Sequence, residues 1–118
     1  MTQQEIQERN EQTALMLGAI YSIHAEAWGF GNARIEPNEL KFDNKIIKGA
    51  VWAQRFEKEL KFNSDWNWLI EAIQFLKKDF ESKDRYWTTI ERYPLYSNIE
   101  DVFVVVSDFA KLYNNKEL

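Results

Sequence analysis

Cysteine is absent from this chain, which removes disulfides, thiolate nucleophiles and cysteine-based zinc sites in one step and fits a reducing compartment, so a cytoplasmic protein is expected. Histidine occurs once, as His24. A histidine metal site would need carboxylates for every other ligand, and neither H-E-x-x-H nor a comparable spacing is present. A Ser-His-Asp arrangement would pair His24 with Ser22, Ser64, Ser82, Ser97 or Ser107, but no G-x-S-x-G elbow selects among them. His24 therefore reads as structural. The glycine-rich loops that cradle phosphates are missing too: Gly29-Phe30-Gly31-Asn32 lacks the third glycine and the following amphipathic helix of a dinucleotide fingerprint. No apolar run approaches the roughly 20 residues of a membrane span, and the opening Met1-Thr2-Gln3-Gln4-Glu5 is polar, so neither a transmembrane helix nor a signal peptide is expected. Basic charge is in deficit, with 15 Lys and Arg against 19 Asp and Glu; a duplex-DNA reader usually carries a dense basic face.

Apolar and aromatic material is plentiful. At 45% hydrophobic residues, with five Trp, five Tyr and eight Phe, the chain holds too much of it to stay disordered. Its 118 residues suit one domain with a single core. One α+β domain over residues 1–118 is expected, a small antiparallel sheet packed by an N-terminal helix and two longer amphipathic helices.

Residues 2–17 read as a helix, with Thr2 as N-cap, Glu5 at the matching third position, and Ile6, Ala14 and Leu17 available to one buried stripe. Gly18 ends it. From Tyr21 the pattern changes to period two, with Tyr21, Ile23, Ala25 and Ala27 alternating with Ser22, His24 and Glu26, as in a half-buried strand; one long helix running to Trp28 is the competing reading. Trp28-Gly29-Phe30-Gly31-Asn32 and Glu36-Pro37-Asn38 carry turn chemistry and read as loop. Residues 45–62 read as strand, although Trp52, Phe56 and Leu60 also share a helical face. Glu39-Leu40-Lys41-Phe42-Asp43 nearly recurs as Glu59-Leu60-Lys61-Phe62-Asn63, which is too short for a repeat architecture.

Ser64 as cap and Asp65 as first-turn acid open a helix over about residues 65–79. Trp66, Leu69, Ile70, Ile73, Leu76 and Phe80 form one stripe on it, and Trp68, Ala72 and Phe75 an adjacent one. Tyr86-Trp87-Thr88-Thr89-Ile90 reads as a strand, with a short partner at Tyr93–Tyr96 around Pro94. Ser97-Asn98-Ile99-Glu100 reads as a capping box, followed by Ile99, Val102, Phe103, Val106, Phe109, Ala110 and Tyr113 at helical spacing to about Asn114-Asn115.

Trp66 and Trp68 are two apart and so point about 200° away from each other on a helix. Both cannot face one core. Either Trp68 is covered by the first helix or the 28–40 loop, or it joins Phe75 in an exposed apolar patch of the kind that marks interaction surfaces. The candidate partner-binding residues are Trp68, Phe75, Trp28, Phe30 and Trp87. Acid–base chemistry by the carboxylate pairs Glu57 and Glu59, Asp79 and Glu81, or Glu100 and Asp101 would need one member desolvated, which sequence does not show; Glu100 has a structural role as the capping-box acid and the others fall in charged stretches, so a structural reading is expected. No catalytic, cofactor-binding or metal-ligating residue is assigned, and no cofactor is expected.

The segment Leu60-Lys61-Phe62-Asn63-Ser64-Asp65-Trp66-Asn67-Trp68-Leu69-Ile70-Glu71-Ala72-Ile73 resembles a motif of a family of small uncharacterised proteins from Bacteroidetes-type bacteria and their phages, where a Ser-Asp-Trp turn opens an amphipathic helix. The tail from Ile99-Glu100-Asp101-Val102-Phe103 through Phe109-Ala110-Lys111-Leu112-Tyr113-Asn114-Asn115 is similar to the same family's C-terminal helix. The resemblance leaves Trp28–Phe56 outside it. It implies an α+β domain of phage or prophage ancestry and no assigned reaction. The leading expectation is a non-enzymatic module that binds a host protein, such as a phage-encoded counter-defence inhibitor of the anti-CRISPR kind. One alternative is a small single-stranded RNA-binding module using Lys45–Lys61 with Tyr86 and Trp87. Another is an enzyme with carboxylate-based chemistry.

Overall fold

In a computed structural model of the chain, Thr2 caps the first helix: its Oγ1 accepts the Glu5 backbone N–H at 3.2 Å and its hydroxyl donates to Glu5 Oε1 at 3.3 Å. The structure describes residues 1–23, 25–31, 34–35, 42–43, 46–47, 51–79 and 98–116. His24, Trp87, the expected strands at Tyr86–Ile90 and Tyr93–Tyr96, and Phe80, Glu81 and Ser97 lie outside the described residues. The fold is α+β, with α1 at Gln3–Met16, α2 at Trp66–Asp79 and α3 at Ile99–Asn114. The strands are β1 (Ile20–Ser22), β2 (Ala27–Phe30), β3 (Arg34–Ile35), β4 (Phe42–Asp43), β5 (Ile46–Ile47), β6 (Val51–Trp52) and β7 (Arg55–Glu57).

Helix α1 stops at Gly18 as its sequence predicts. Gly18 sits at φ +81, its N–H donates to the Leu15 carbonyl and the Ala19 N–H to the Ala14 carbonyl, the paired bonds of a Schellman ending. The chain then enters a sheet of order β4-β5-β1-β2-β7, antiparallel except for the parallel pair β1 and β5. Strands β3 and β6 form a separate antiparallel pair.

Two readings of the 20–30 region need correction. The period-two run from Tyr21 to Ala27 is a hairpin and not one strand: the Ser22 hydroxyl accepts the Ala25 N–H at 3.1 Å, Glu26 takes φ +52, and Ala27 pairs back onto Ser22. Trp28-Gly29-Phe30 is strand β2 and not loop. Strand β2 lies between β1 and β7 and its four residues, Ala27–Phe30, are buried; the chain turns at Gly31, at φ +72, where the Gln54 N–H reaches the carbonyls of Phe30 and Gly31, and Asn32 and Glu36-Pro37-Asn38 lie outside the described residues.

The helix starts differ by one residue from expectation. Asp65 caps α2, accepting the Asn67 N–H on Oδ1 at 2.9 Å, whereas the Ser64 N–H closes the preceding turn onto Lys61. Asn98 caps α3 by accepting the Asp101 N–H at 2.9 Å. In both cases a side-chain oxygen that reaches the second or third N–H of the helix satisfies an otherwise orphaned donor.

One apolar cluster joins the three helices to the sheet, with Phe62, Leu69, Leu76, Val102, Phe103 and Val106 its largest fully buried side chains apart from the hydroxyl residues. The α3 stripe is as read, with Val102, Phe103, Val106 and Ala110 buried and Ile99, Phe109 and Tyr113 at its margin. The buried face of α1 is not: it centres on Asn10, Thr13 and Ala14, with Ile6 and Leu17 only partly covered. Polar bonds hold that face. Asn10 accepts the buried Phe62 N–H at 3.0 Å and donates to Asn63 Oδ1 at 2.9 Å, clamping the turn that precedes α2. Arg9 donates to Ser107 Oγ, Asp108 Oδ1 and the Val104 carbonyl on α3, and Asn114 donates back to Gln12.

Candidate interaction surface

Helix α2 is apolar around more than half of its circumference, and the structure decides which part is covered. Leu69, Ala72, Ile73 and Leu76 face the core. Trp68 and Phe75 flank this arc on one side and are half-buried; Trp66 and Ile70 flank it on the other and stand in solvent, 36% and 40% exposed. The stripe expected to carry Trp66 and Ile70 inward is therefore rotated. Trp68 is drawn in because two aromatic rings await it: its indole meets Phe62 at 5.1 Å and Phe30 at 5.7 Å, both nearly edge-on. Phe62 and Phe30 are themselves buried, so turning the helix to bury Trp66 would uncover more aromatic surface than it removes from water.

The partner-binding candidates separate accordingly. Trp28 and Phe30 are core, 6% and 3% exposed, with Trp28 packed edge-on against Tyr21 at 5.4 Å. Phe75 does not join Trp68 in a patch; it packs edge-on against Tyr113 of α3 at 5.5 Å. Trp68 is covered in part by Arg55, whose guanidinium carbon lies 5.3 Å from its ring centroid and 4.7 Å from that of Phe30. On α2 the large apolar side chains left exposed among the described residues are Trp66 and Ile70, a ledge one helical turn apart. Sequence periodicity places both residues on one stripe with Leu69 and Ile73; their exposure has no sequence signal, because the rotation of α2 is set by β2 and the 60–64 turn. Phe56, 45% exposed on edge strand β7, is a separate exposed ring, since it alternates with Arg55 and Glu57 and so points to the opposite sheet face.

Clefts among the described residues lie elsewhere, and neither Trp66 nor Ile70 lines the following two. A groove of about 340 Å³ between α1 and α3 is lined by Glu8, Arg9, Gln12, Ser107, Asp108 and Lys111 among others. A wider cleft of about 700 Å³ lies between α1 and residues 58–64, where Lys58 and Lys61 meet Gln3, Gln7 and Asn10. Of the cations in the Lys45–Lys61 segment, Arg55 is engaged by Glu57 at 3.5 Å and Glu71 at 3.4 Å. Glu100 and Asp101 lie exposed in the first turn of α3. Among the described residues no group of three or more His, Cys, Asp or Glu is placed to hold a metal ion, and no helix is long and apolar enough to cross a membrane.

Comparison of the chain with protein-family models, with curated proteins and with solved structures yields no match.

Proposed function

We propose that this chain is a non-enzymatic protein-binding module that docks its partner through the Trp66 and Ile70 ledge of α2. The observation that carries the reading is the exposure of these two large apolar side chains on one helix face, beside a core already filled by Leu69, Ile73 and Leu76. Covering such side chains is worth about 1.5–3 kcal/mol each, and tryptophan is among the residues most enriched at the energetic centre of interfaces. The phage-type resemblance of the 60–73 and 99–115 segments makes a host protein the partner class, with a counter-defence inhibitor as its specific form.

The test is affinity capture from host lysate with three baits: the wild-type chain, Trp66→Ser/Ile70→Ser, and Phe56→Ser as an exposed-ring control. The expected result is a stoichiometric protein retained by the wild type and by Phe56→Ser and lost by the double variant, which keeps its thermal midpoint. Equal retention by the double variant, or no stoichiometric protein, refutes the reading. Retention that vanishes with nuclease treatment or falls steeply with salt would instead support the single-stranded RNA alternative.

A further inference from the structure

The corner between Phe30 and Trp68 already holds a ligand, and that ligand belongs to the chain itself. The two rings stand at 83° to one another with centroids 5.7 Å apart, forming two walls, and Phe62 braces Trp68 from a third direction at 84°. The Arg55 guanidinium sits in the corner, 4.7 Å from one ring centroid and 5.3 Å from the other, inside the roughly 6 Å reach of a cation–π contact. Two carboxylates complete the surroundings, Glu57 from the same strand and Glu71 from α2. A planar cation between aromatic faces with acids at its rim is the arrangement that recognises guanidinium, and an ammonium, having no plane to stack, fits it less well.

The occupant is loosely held. Its ion pairs measure 3.5 and 3.4 Å, longer than the roughly 2.7–2.9 Å of a strong charge-assisted bond. Its side chain is 42% exposed, and its strand is three residues long at the edge of the sheet. Stacking, and not a tight fork, keeps it in place.

We propose that Phe30, Trp68, Glu57 and Glu71 form an arginine-recognition site that Arg55 fills in cis, and that an arginine side chain of the partner protein takes its place on docking. The proposal rests on the protein-binding reading for its partner, but it uses the side of α2 away from Trp66 and Ile70 and is tested without that partner. A tethered arginine competes at an effective concentration in the millimolar range, so an incoming arginine binds the wild type more weakly in proportion to the fraction of time the corner stands empty.

The experiment follows the Trp68 indole N–H resonance while N-acetylarginine methylamide is titrated into the wild type and into Arg55→Ala, with N-acetyllysine methylamide as control. Saturable shifts are expected in Arg55→Ala, with affinity at least about tenfold tighter than in the wild type, and none with the lysine compound. A folded Arg55→Ala that gives no saturable shift, equal affinity in the two proteins, or equal binding of the lysine compound each overturns the proposal. Should Arg55→Ala fail to fold, Arg55→Thr, whose β-branched side chain suits a strand and is too short to fill the corner, is read by the same criteria. Failure of the Trp66→Ser/Ile70→Ser capture removes the docking ledge without moving this titration, and failure here leaves the ledge standing.

Discussion

Asn10→Ala is expected to destabilise the protein far more than its place on a polar helix suggests. Asn10 is 4% exposed and Phe62 fully buried, and the Asn10 side-chain Oδ1 is the acceptor for the Phe62 N–H at 3.0 Å. Alanine leaves that N–H buried without an acceptor, at about 1–3 kcal/mol, and removes the bond to Asn63, at about 0.5–1.5 kcal/mol. The sum is about 1.5–4.5 kcal/mol, a large share of the roughly 5–15 kcal/mol that holds a domain together. Near this size about 1 kcal/mol corresponds to roughly 4 °C, so a fall of roughly 6–18 °C is expected in the thermal midpoint. Urea unfolding followed by tryptophan fluorescence should show the midpoint falling by roughly 1–2.5 M with an unchanged slope. Asn63→Ala is the control: Asn63 is only half-buried, water replaces it as partner, and about 0.5–1.5 kcal/mol is expected. A loss under about 1 kcal/mol for Asn10→Ala, or an equal loss for both variants, would show that Asn10 does not clamp the turn before α2.

Trp68→Ala should cost about 2–4 kcal/mol, somewhat less than full burial would give, whereas Trp66→Ala should cost under about 1 kcal/mol; chemical denaturation of the two variants checks the rotation of α2 directly. Gly18→Ala should cost about 1–2 kcal/mol from backbone strain alone, because its new Cβ meets nothing within 4 Å. Gly31→Ala should cost more, since its Cβ would come to 2.9 Å from Gln54 Oε1 and 3.2 Å from Gln54 Cβ at a φ of +72; thermal melts rank the pair. Arg9→Met should lose about 1–3 kcal/mol by stripping donors from Ser107 and the Val104 carbonyl, while Asp108→Asn should lose under about 1 kcal/mol, because the Asp108 side chain is 61% exposed; urea midpoints separate the two.

Local signals were legible wherever one segment carries its own physics. Thr2 and Glu5 mark the start of α1 and Gly18 its end, and both are realised through bonds among neighbours in sequence. The α3 stripe from Val102 to Ala110 is legible for the same reason, since helical periodicity alone places those side chains on one face. The caps of α2 and α3 show the limit of this reading. Asp and Asn compete well with Ser for the capping position, and backbone geometry at one residue decides which oxygen reaches the free N–H. The β1–β2 hairpin shows another limit. An alternating run of residues looks the same whether the chain continues or reverses, and the reversal here depends on the Ser22 hydroxyl and the left-handed Glu26.

Residue order alone yields an inventory: an apolar, aromatic-rich α+β chain without cysteine, three helices with ends legible to within a residue or so, and a second helix with more apolar surface than one core contact covers. Which of that surface remains outside depends on how the segments pack together. Two tryptophans two residues apart on a helix are equivalent to any pattern read along the chain, because periodicity sets the angle between them and not the rotation of the helix as a whole. That rotation is imposed by Phe30 from β2 and Phe62 from the turn clamped by Asn10, residues distant in sequence that place rings beside Trp68. Trp66 and Ile70 are left in solvent as a consequence, and Arg55 reaches the Phe30 and Trp68 corner because β7 pairs with β2. Contacts between distant segments carry no local signal, so the candidate surface became visible only once the chain was folded.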